Sequence, residues 1–246
     1  LDAGYEVRPR DAFYGLGTAT GVMTRYGQHR ARGDVGGDLR LWSDLHLRPS
    51  AALATHAFGD PAEGTPADVA YMPVGWMGTE NAYGELAVRW DSRRGGSEWD
   101  PHWYLTHGTL ASAYAGRYHR LDAGSDFGRY GVDLQQLVRL GIGPRVLVAR
   151  FHGEAVSGSH DEVPFVDLPS LGGPLDLRGY ALDRFRDRVA LAGAVEYRWD
   201  LARWLAAHVF VDAGRVYESL DAIGVDHLRV GYGGGVEVGH ASTLID

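Results

Sequence analysis

The sequence contains no cysteine. Disulfide frameworks and thiolate metal sites are therefore excluded. Lysine is also missing, and all 24 basic side chains are arginines. Positive charge is in deficit, with a formal net charge of −8. That balance argues against a nucleic-acid binder, which normally carries a basic patch. No apolar run approaches the roughly 20 residues of a membrane-spanning helix. No segment reads as a helix, and no signal-peptide pattern is visible at Leu1, where the chain reads as starting inside a longer protein.

What is abundant is glycine, at 35 residues, with 13 tyrosines and 7 tryptophans. The main signal is apolar/polar alternation with period two, in segments of about ten residues. In one segment Val189, Leu191, Val195, Tyr197 and Trp199 share a face, opposite Arg188, Glu196 and Arg198. In the next, Leu205, Ala207, Val209 and Val211 oppose His208, Phe210 and Asp212. Tyr130, Val132, Leu134 and Val138 oppose Arg129, Asp133, Gln135 and Arg139. The pattern predicts about ten strands, near 20–31, 36–47, 50–58, 83–91, 103–118, 126–139, 144–156, 187–199, 204–217 and 227–239. Short turns such as "LRPS" (47–50), "GIGP" (141–144) and "DLAR" (200–203) alternate with long loops at 59–82 and 157–186. Short turns at one end and long loops at the other mark an outer-membrane β-barrel. Trp90, Trp99, Trp103, Trp199 and Trp204 all flank connections on the short-turn side, as an aromatic girdle at the headgroup level would. The competing reading is a soluble β-sandwich. It rarely places charge so regularly on one face of nearly every strand.

Other motifs carry less. "GLGTATG" (15–21) has the wrong spacing for a dinucleotide loop and no helix after it, so it reads as a turn cluster. The 11 histidines are scattered, and His102 and His107 read as a polar rim rather than metal ligands. Ser159 and His160 are neighbours in a loop, without the rigid frame that a catalytic relay needs. Asp60 and Glu63 read as a solvated loop. The expectation is a protein that is not an enzyme and holds no metal or other cofactor.

One loop stands out. "LGGPLDLRGY" (171–180) is too broken for a helix, too glycine-rich for a strand and too apolar to float in water. Strand parity turns Asp212 away from lipid, together with Glu196, Phe210 and Gly214. A loop folded back into the lumen would bring Arg178 against Asp212, with Glu196 as a second candidate. Glycines 214, 231, 233 and 235 on that wall would let the loop backbone come close.

"LRGY" (177–180), the "EYR" strand (196–198), "FVDAG" (210–214) and "LRVGYGGGVEV" (228–238) together resemble the BamA/TamA-like superfamily of outer-membrane proteins, the bacterial surface antigen family. "RDAFYGLG" (10–17) and "WDSRRGG" (90–96) also resemble family segments. The resemblance covers most of the chain. It implies that Leu177, Arg178, Gly179 and Tyr180 form a tetrad tipping a loop inside the barrel. It also implies that the acceptor strand supplies Phe210, Asp212 and Gly214, with Glu196 beside them. The implied fold is all-β: a transmembrane antiparallel up-and-down β-barrel, incomplete, with about ten to eleven of an expected sixteen strands.

Residues 1–246 would be one domain, a partial barrel lacking N-terminal strands, any periplasmic repeat domains and the last strand. The implied function is protein assembly or translocation, inserting or exporting proteins at the bacterial outer membrane. Its partners would be outer-membrane lipid, unfolded or secreted outer-membrane proteins as clients, and periplasmic accessory proteins, with no nucleic acid. A passive diffusion porin, or the membrane anchor of a patatin-like lipase, is the alternative.

Overall fold

The structure, a computed structural model, describes residues 2–18, 24–59, 73–97, 100–122, 124–141, 143, 145–202 and 204–238. Among the described residues ten long strands form one sheet: β1 (Asp2–Phe13), β2 (Thr24–Gly36), β3 (Leu45–Gly59), β4 (Thr79–Asp91), β5 (Asp100–Arg120), β6 (Phe127–Arg139), β7 (Arg145–Val156), β8 (Val189–Ala202), β9 (Leu205–Tyr217) and β10 (Arg229–Val238). Each pairs antiparallel with the next in chain order. Two short strands, Leu39–Arg40 and Arg94–Ser97, extend β3 and β5 at one end. Among the described residues β1 and β10 each pair on one side only, so the sheet is not closed. The sequence is consistent with this architecture, because alternation gives each strand one apolar face and strands joined by turns stack in order.

Two features of the strand count differ from the sequence reading. Residues 2–13 form a strand that the alternation did not reveal. Its register shifts between Arg8 and Asp11, a bulge that changes which parity faces inward, so the period-two signal breaks. Conversely, "LRPS" is not a turn. Residues 47–50 run through β3, and the turn lies between Gly36 and Leu45. The Pro49 carbonyl accepts from Gly37 N–H at 2.9 Å, so its nitrogen faces the same side, just where the β2 ladder ends at Gly36–Ser50. A proline there removes no ladder hydrogen bond.

The two faces differ as the parity requires. On the outer face Leu53, Leu86, Val88, Tyr130, Leu134, Val195, Val209, Val211, Tyr232 and Val236 are all exposed. Continuous apolar exposure on this scale marks a membrane or partner surface. Trp90 and Trp204 are exposed at the short-turn ends of their strands, and Trp199 stacks on Tyr197 at 5.4 Å. Trp99 lies outside the described residues.

The inner face is covered by the loop between β7 and β8. This loop folds back on the sheet and closes a small hairpin, Ser170–Leu171 against Phe185–Arg186. Leu171, Leu177 and Phe185 pack with Ala190, Ala192 and Val216 of the wall. Phe165 sits in an aromatic nest, with ring centroids 5.1 Å from Phe13, 5.4 Å from Trp76 and 5.7 Å from Tyr26. Both clusters exclude water from the loop's own backbone, which is how so irregular a segment can be buried.

The buried loop also carries an uncompensated cost. Asp167 is buried, and desolvation pushes its carboxyl up to about 6, with Arg129 and the Asn81 hydrogen bond opposing the rise. Asn81 Nδ2 donates to Asp167 Oδ2 at 3.1 Å, while Asn81 Oδ1 is buried without a partner. A proton-bearing group at 167 suits this site better than a carboxylate. Because the folded value lies above the ordinary one, the fold is favoured at low pH and loses stability as pH rises through about 6. Asp167→Asn should therefore be nearly neutral at acid pH and stabilising above neutrality, by up to roughly 3 kcal/mol. Unfolding curves at both pH values check this; equal effects at the two would show that Asp167 is solvated.

Candidate functional site

The loop tip meets the wall at one point. Gly179 adopts φ +98°, a left-handed conformation that glycine reaches without strain. It follows Arg178 and lets the chain reverse, with Tyr180 N–H donating to Leu177 O at 3.2 Å. Leu177 is fully buried in the apolar cluster beneath the loop. Tyr180 lies against the same cluster, its ring 5.2 Å from Phe185, and its hydroxyl donates to Val230 O at 3.2 Å. The four residues of the tetrad are therefore anchored on both sides of the arginine.

Arg178 is held by three groups. Its Nε donates to Asp212 Oδ2 at 2.9 Å and its Nη2 to Asp212 Oδ1 at 2.7 Å, a side-on bidentate pair. The backbone N–H of Arg178 donates to the same Oδ2 at 3.0 Å. Nη1 donates to Glu196, which also accepts from Arg198. The guanidinium carbon stands 3.4 Å from the centre of the Phe210 ring, a cation–π contact. Asp212 and Glu196 expose 1% and 3% of their side chains, so both charges are nearly desolvated and depend on their partners.

The register explains how two carboxylates come to share one arginine. Glu196 stands opposite Phe210, and Asp212 opposite Ala194. The two acids are thus diagonal neighbours on one face of adjacent strands, near enough for one long side chain to bridge them. The sequence reading offered Glu196 as an alternative to Asp212. The structure has Arg178 on both at once, with Arg198 and Phe210 completing the site. Only the register carries that information.

The glycines play different parts from those expected. A Cβ on Gly231 would stand 2.3 Å from the Arg178 carbonyl oxygen, so this residue does clear the wall for the loop. A Cβ on Gly214 would meet Leu171 of the loop at 3.1 Å and Leu191 O at 2.8 Å. Gly233 and Gly235 do not face the loop. They make room for the rings of Phe210 and His208 on the neighbouring strand, because these side chains lean across β10. Gly231→Ala should thus push the loop tip outward, at a cost of about 1–3 kcal/mol, and break the Tyr180–Val230 bond. Faster trypsin cleavage after Arg178 or Arg184 would report it; unchanged cleavage would mean that the loop yields without penalty.

Ser159, His160 and His107 have local partners. Ser159 Oγ bonds Glu162 at 3.0 Å, and His160 bonds Asp187 at 2.7 Å. His107 bonds Thr106, and the described residues hold no cluster with metal-ligand composition. Asp60 and Glu63 lie outside the described residues.

Comparison with known proteins agrees with this geometry. Residues 106–245 match the model of the Omp85 superfamily domain. Among solved structures, BamA from Haemophilus ducreyi lacking POTRA domains 1–3 is similar over 96% of this chain, with a TM-score of 0.61 and 13% identity. This chain covers 55% of that one. A search by sequence among curated proteins gave no match. The matched domain takes in β6 to β10, the loop and its acceptor strand, and so the chain belongs to the Omp85 superfamily as a bacterial outer-membrane β-barrel protein.

Proposed function

We propose that residues 1–246 act as one domain within a protein that inserts other proteins into the bacterial outer membrane or exports them across it. The partners in this reading are outer-membrane lipid on the apolar face and unfolded outer-membrane proteins as clients. The observation that carries it is the buried clasp of Arg178 on Asp212 and Glu196. A passive porin needs only a lumen wide enough for its solutes. A loop fixed across the inner face by a desolvated ion pair serves a barrel whose lumen conformation matters more than its conductance. Leu177, Gly179 and Tyr180 shape the loop tip, and Phe210, Asp212, Gly214 and Glu196 form its receptor.

The test uses the native protein in proteoliposomes. An unfolded β-barrel client is added and its folding followed by heat-modifiable migration. The protein should accelerate client folding, and Arg178→Ala should slow it. A large, steady, always-open conductance without acceleration would favour the porin. Transport of a secreted client without insertion would favour an export pore.

A further inference from the structure

The connection between β9 and β10, residues 218–228, lies at the end of the sheet opposite the short turns. In an outer-membrane barrel that end is extracellular. Yet Leu220, Ile223 and Val225 are 64%, 46% and 83% exposed there. Three large apolar side chains so close together form a patch rather than a scatter, and a patch marks a contact surface. Two side chains of the wall fix where the loop goes. Val216 packs in the inner cluster, so by alternation Arg215 and Tyr217 stand on the outer face. The Tyr217 hydroxyl donates to Gly224 O at 2.5 Å, and Arg215 Nη1 donates to Asp226 O at 2.6 Å. Both bonds start from the outer face, so residues 224–226 are held on that side of the wall. Tyr217 is only 4% exposed although it faces outward.

The strand sets the depth of the loop. The outer face of β9 is apolar from Leu205 to Ala213, about the 9–11 tilted residues that cross the hydrocarbon. Trp204 is exposed at the short-turn end of that span, and Arg215 is the first charged side chain beyond its other end. Such residues mark the two headgroup layers. A loop bonded to Arg215 and Tyr217 therefore lies at the outer headgroup layer, on the lipid side. Its patch runs on through Leu228 into the exposed Val230 and Tyr232 of β10, so it continues the lipid face. We infer that loop 218–228 is an interfacial anchor, with Leu220, Ile223 and Val225 set into the outer leaflet beside the headgroups. The charged side chains Glu218, Asp221 and Asp226 are acidic and give no pull toward anionic headgroups. Apolar contact seats the loop. The inference rests on the outer-membrane placement of the wall and not on the assembly role.

The test uses fluorescence quenching. The chain has no cysteine, so single cysteines can carry a nitrobenzoxadiazole label. Leu220→Cys and Val225→Cys probe the loop in the native protein, reconstituted in phosphatidylcholine vesicles. Val211→Cys is the lipid-face control, and Leu175→Cys, exposed on the inner loop, is the water control. Labels at 220 and 225 should be quenched by iodide about tenfold less than the label at 175, the ratio set by burying one apolar side chain. A headgroup nitroxide lipid should quench them most, a mid-chain nitroxide should quench 211 most, and salt should change neither. Ile223→Asp should return the 225 label toward the iodide quenching seen at 175. Heat-modifiable migration shows which variants are folded; if Ile223→Asp is not, the labels in the unaltered loop carry the test. Iodide quenching at 225 equal to that at 175 would overturn the inference. So would protection from iodide without quenching by either nitroxide lipid, since protein rather than lipid would then cover the patch. If the label at 211 also escaped the lipid quenchers, the membrane placement of the wall would fail with it.

Discussion

Arg178→Ala should lower the unfolding free energy by about 3–5 kcal/mol, the cost of breaking a buried ion pair from one side. The reason is what the substitution leaves behind. Asp212, 1% exposed, would lose both side-chain donors and keep only the backbone N–H of residue 178. Glu196 would retain Arg198, so the burden falls on Asp212. Two nearly buried carboxylates on adjacent strands would then face each other without the guanidinium between them. Loss of the cation–π contact with Phe210 removes a further ~0.5–2 kcal/mol of attraction, the larger figure applying where the pair is desolvated.

Arg178→Lys should recover only part, since an ammonium cannot span Asp212 Oδ1, Oδ2 and Glu196 at once. The double variant Arg178→Ala, Asp212→Ala gives the sharper check. Removing the stranded charge should restore stability relative to Arg178→Ala alone, a coupling that a double-mutant cycle reads directly. Denaturant unfolding in lipid bilayers supplies the numbers. Additive losses in the double variant would mean that the arginine and the aspartate do not depend on each other.

The sequence carried this contact further than it carried the strands around it. Arg178 stands in a loop too apolar to be solvated, and the parity of "FVDAG" turns Asp212 inward. Both facts are local. The simultaneous grip on Glu196 is not local, because it needs the Glu196–Phe210 register that sets the two acids diagonally across β8 and β9. The same limit explains β1. A bulge between Arg8 and Asp11 interrupts its alternation, so no period-two template fits the segment, although each half of it alternates. Pro49 misleads in the opposite direction. It signals a turn in isolation, and only the end of the neighbouring ladder shows why a strand tolerates it. The polar cavity beneath the loop is the furthest from the sequence, because its lining comes from five strands and the loop and no one segment marks it.

Val195→Arg tests the other face and should cost about 2–4 kcal/mol in a bilayer, the depth-dependent penalty for a cation on the lipid side of a barrel. Val195 is 53% exposed on the outer face, near the middle of β8, opposite Ala149 of β7 and Val211 of β9. A crossing of the hydrocarbon takes about 9–11 residues of tilted strand, so the centre of a 14-residue strand lies near the midplane. The argument turns on the solvent. In water an exposed valine replaced by arginine would change stability by no more than ~0.5 kcal/mol. In hydrocarbon the same exposed position has no partner for the charge, and the long side chain is too far from either headgroup layer to escape. Trp199→Arg, at the short-turn end of the same strand, should cost only ~0–1 kcal/mol by the same rule. Reversible denaturant unfolding in phospholipid vesicles, followed by tryptophan fluorescence, compares the two. A negligible penalty at Val195, or one no larger than at Trp199, would mean that the apolar face of β8 meets protein or water rather than lipid.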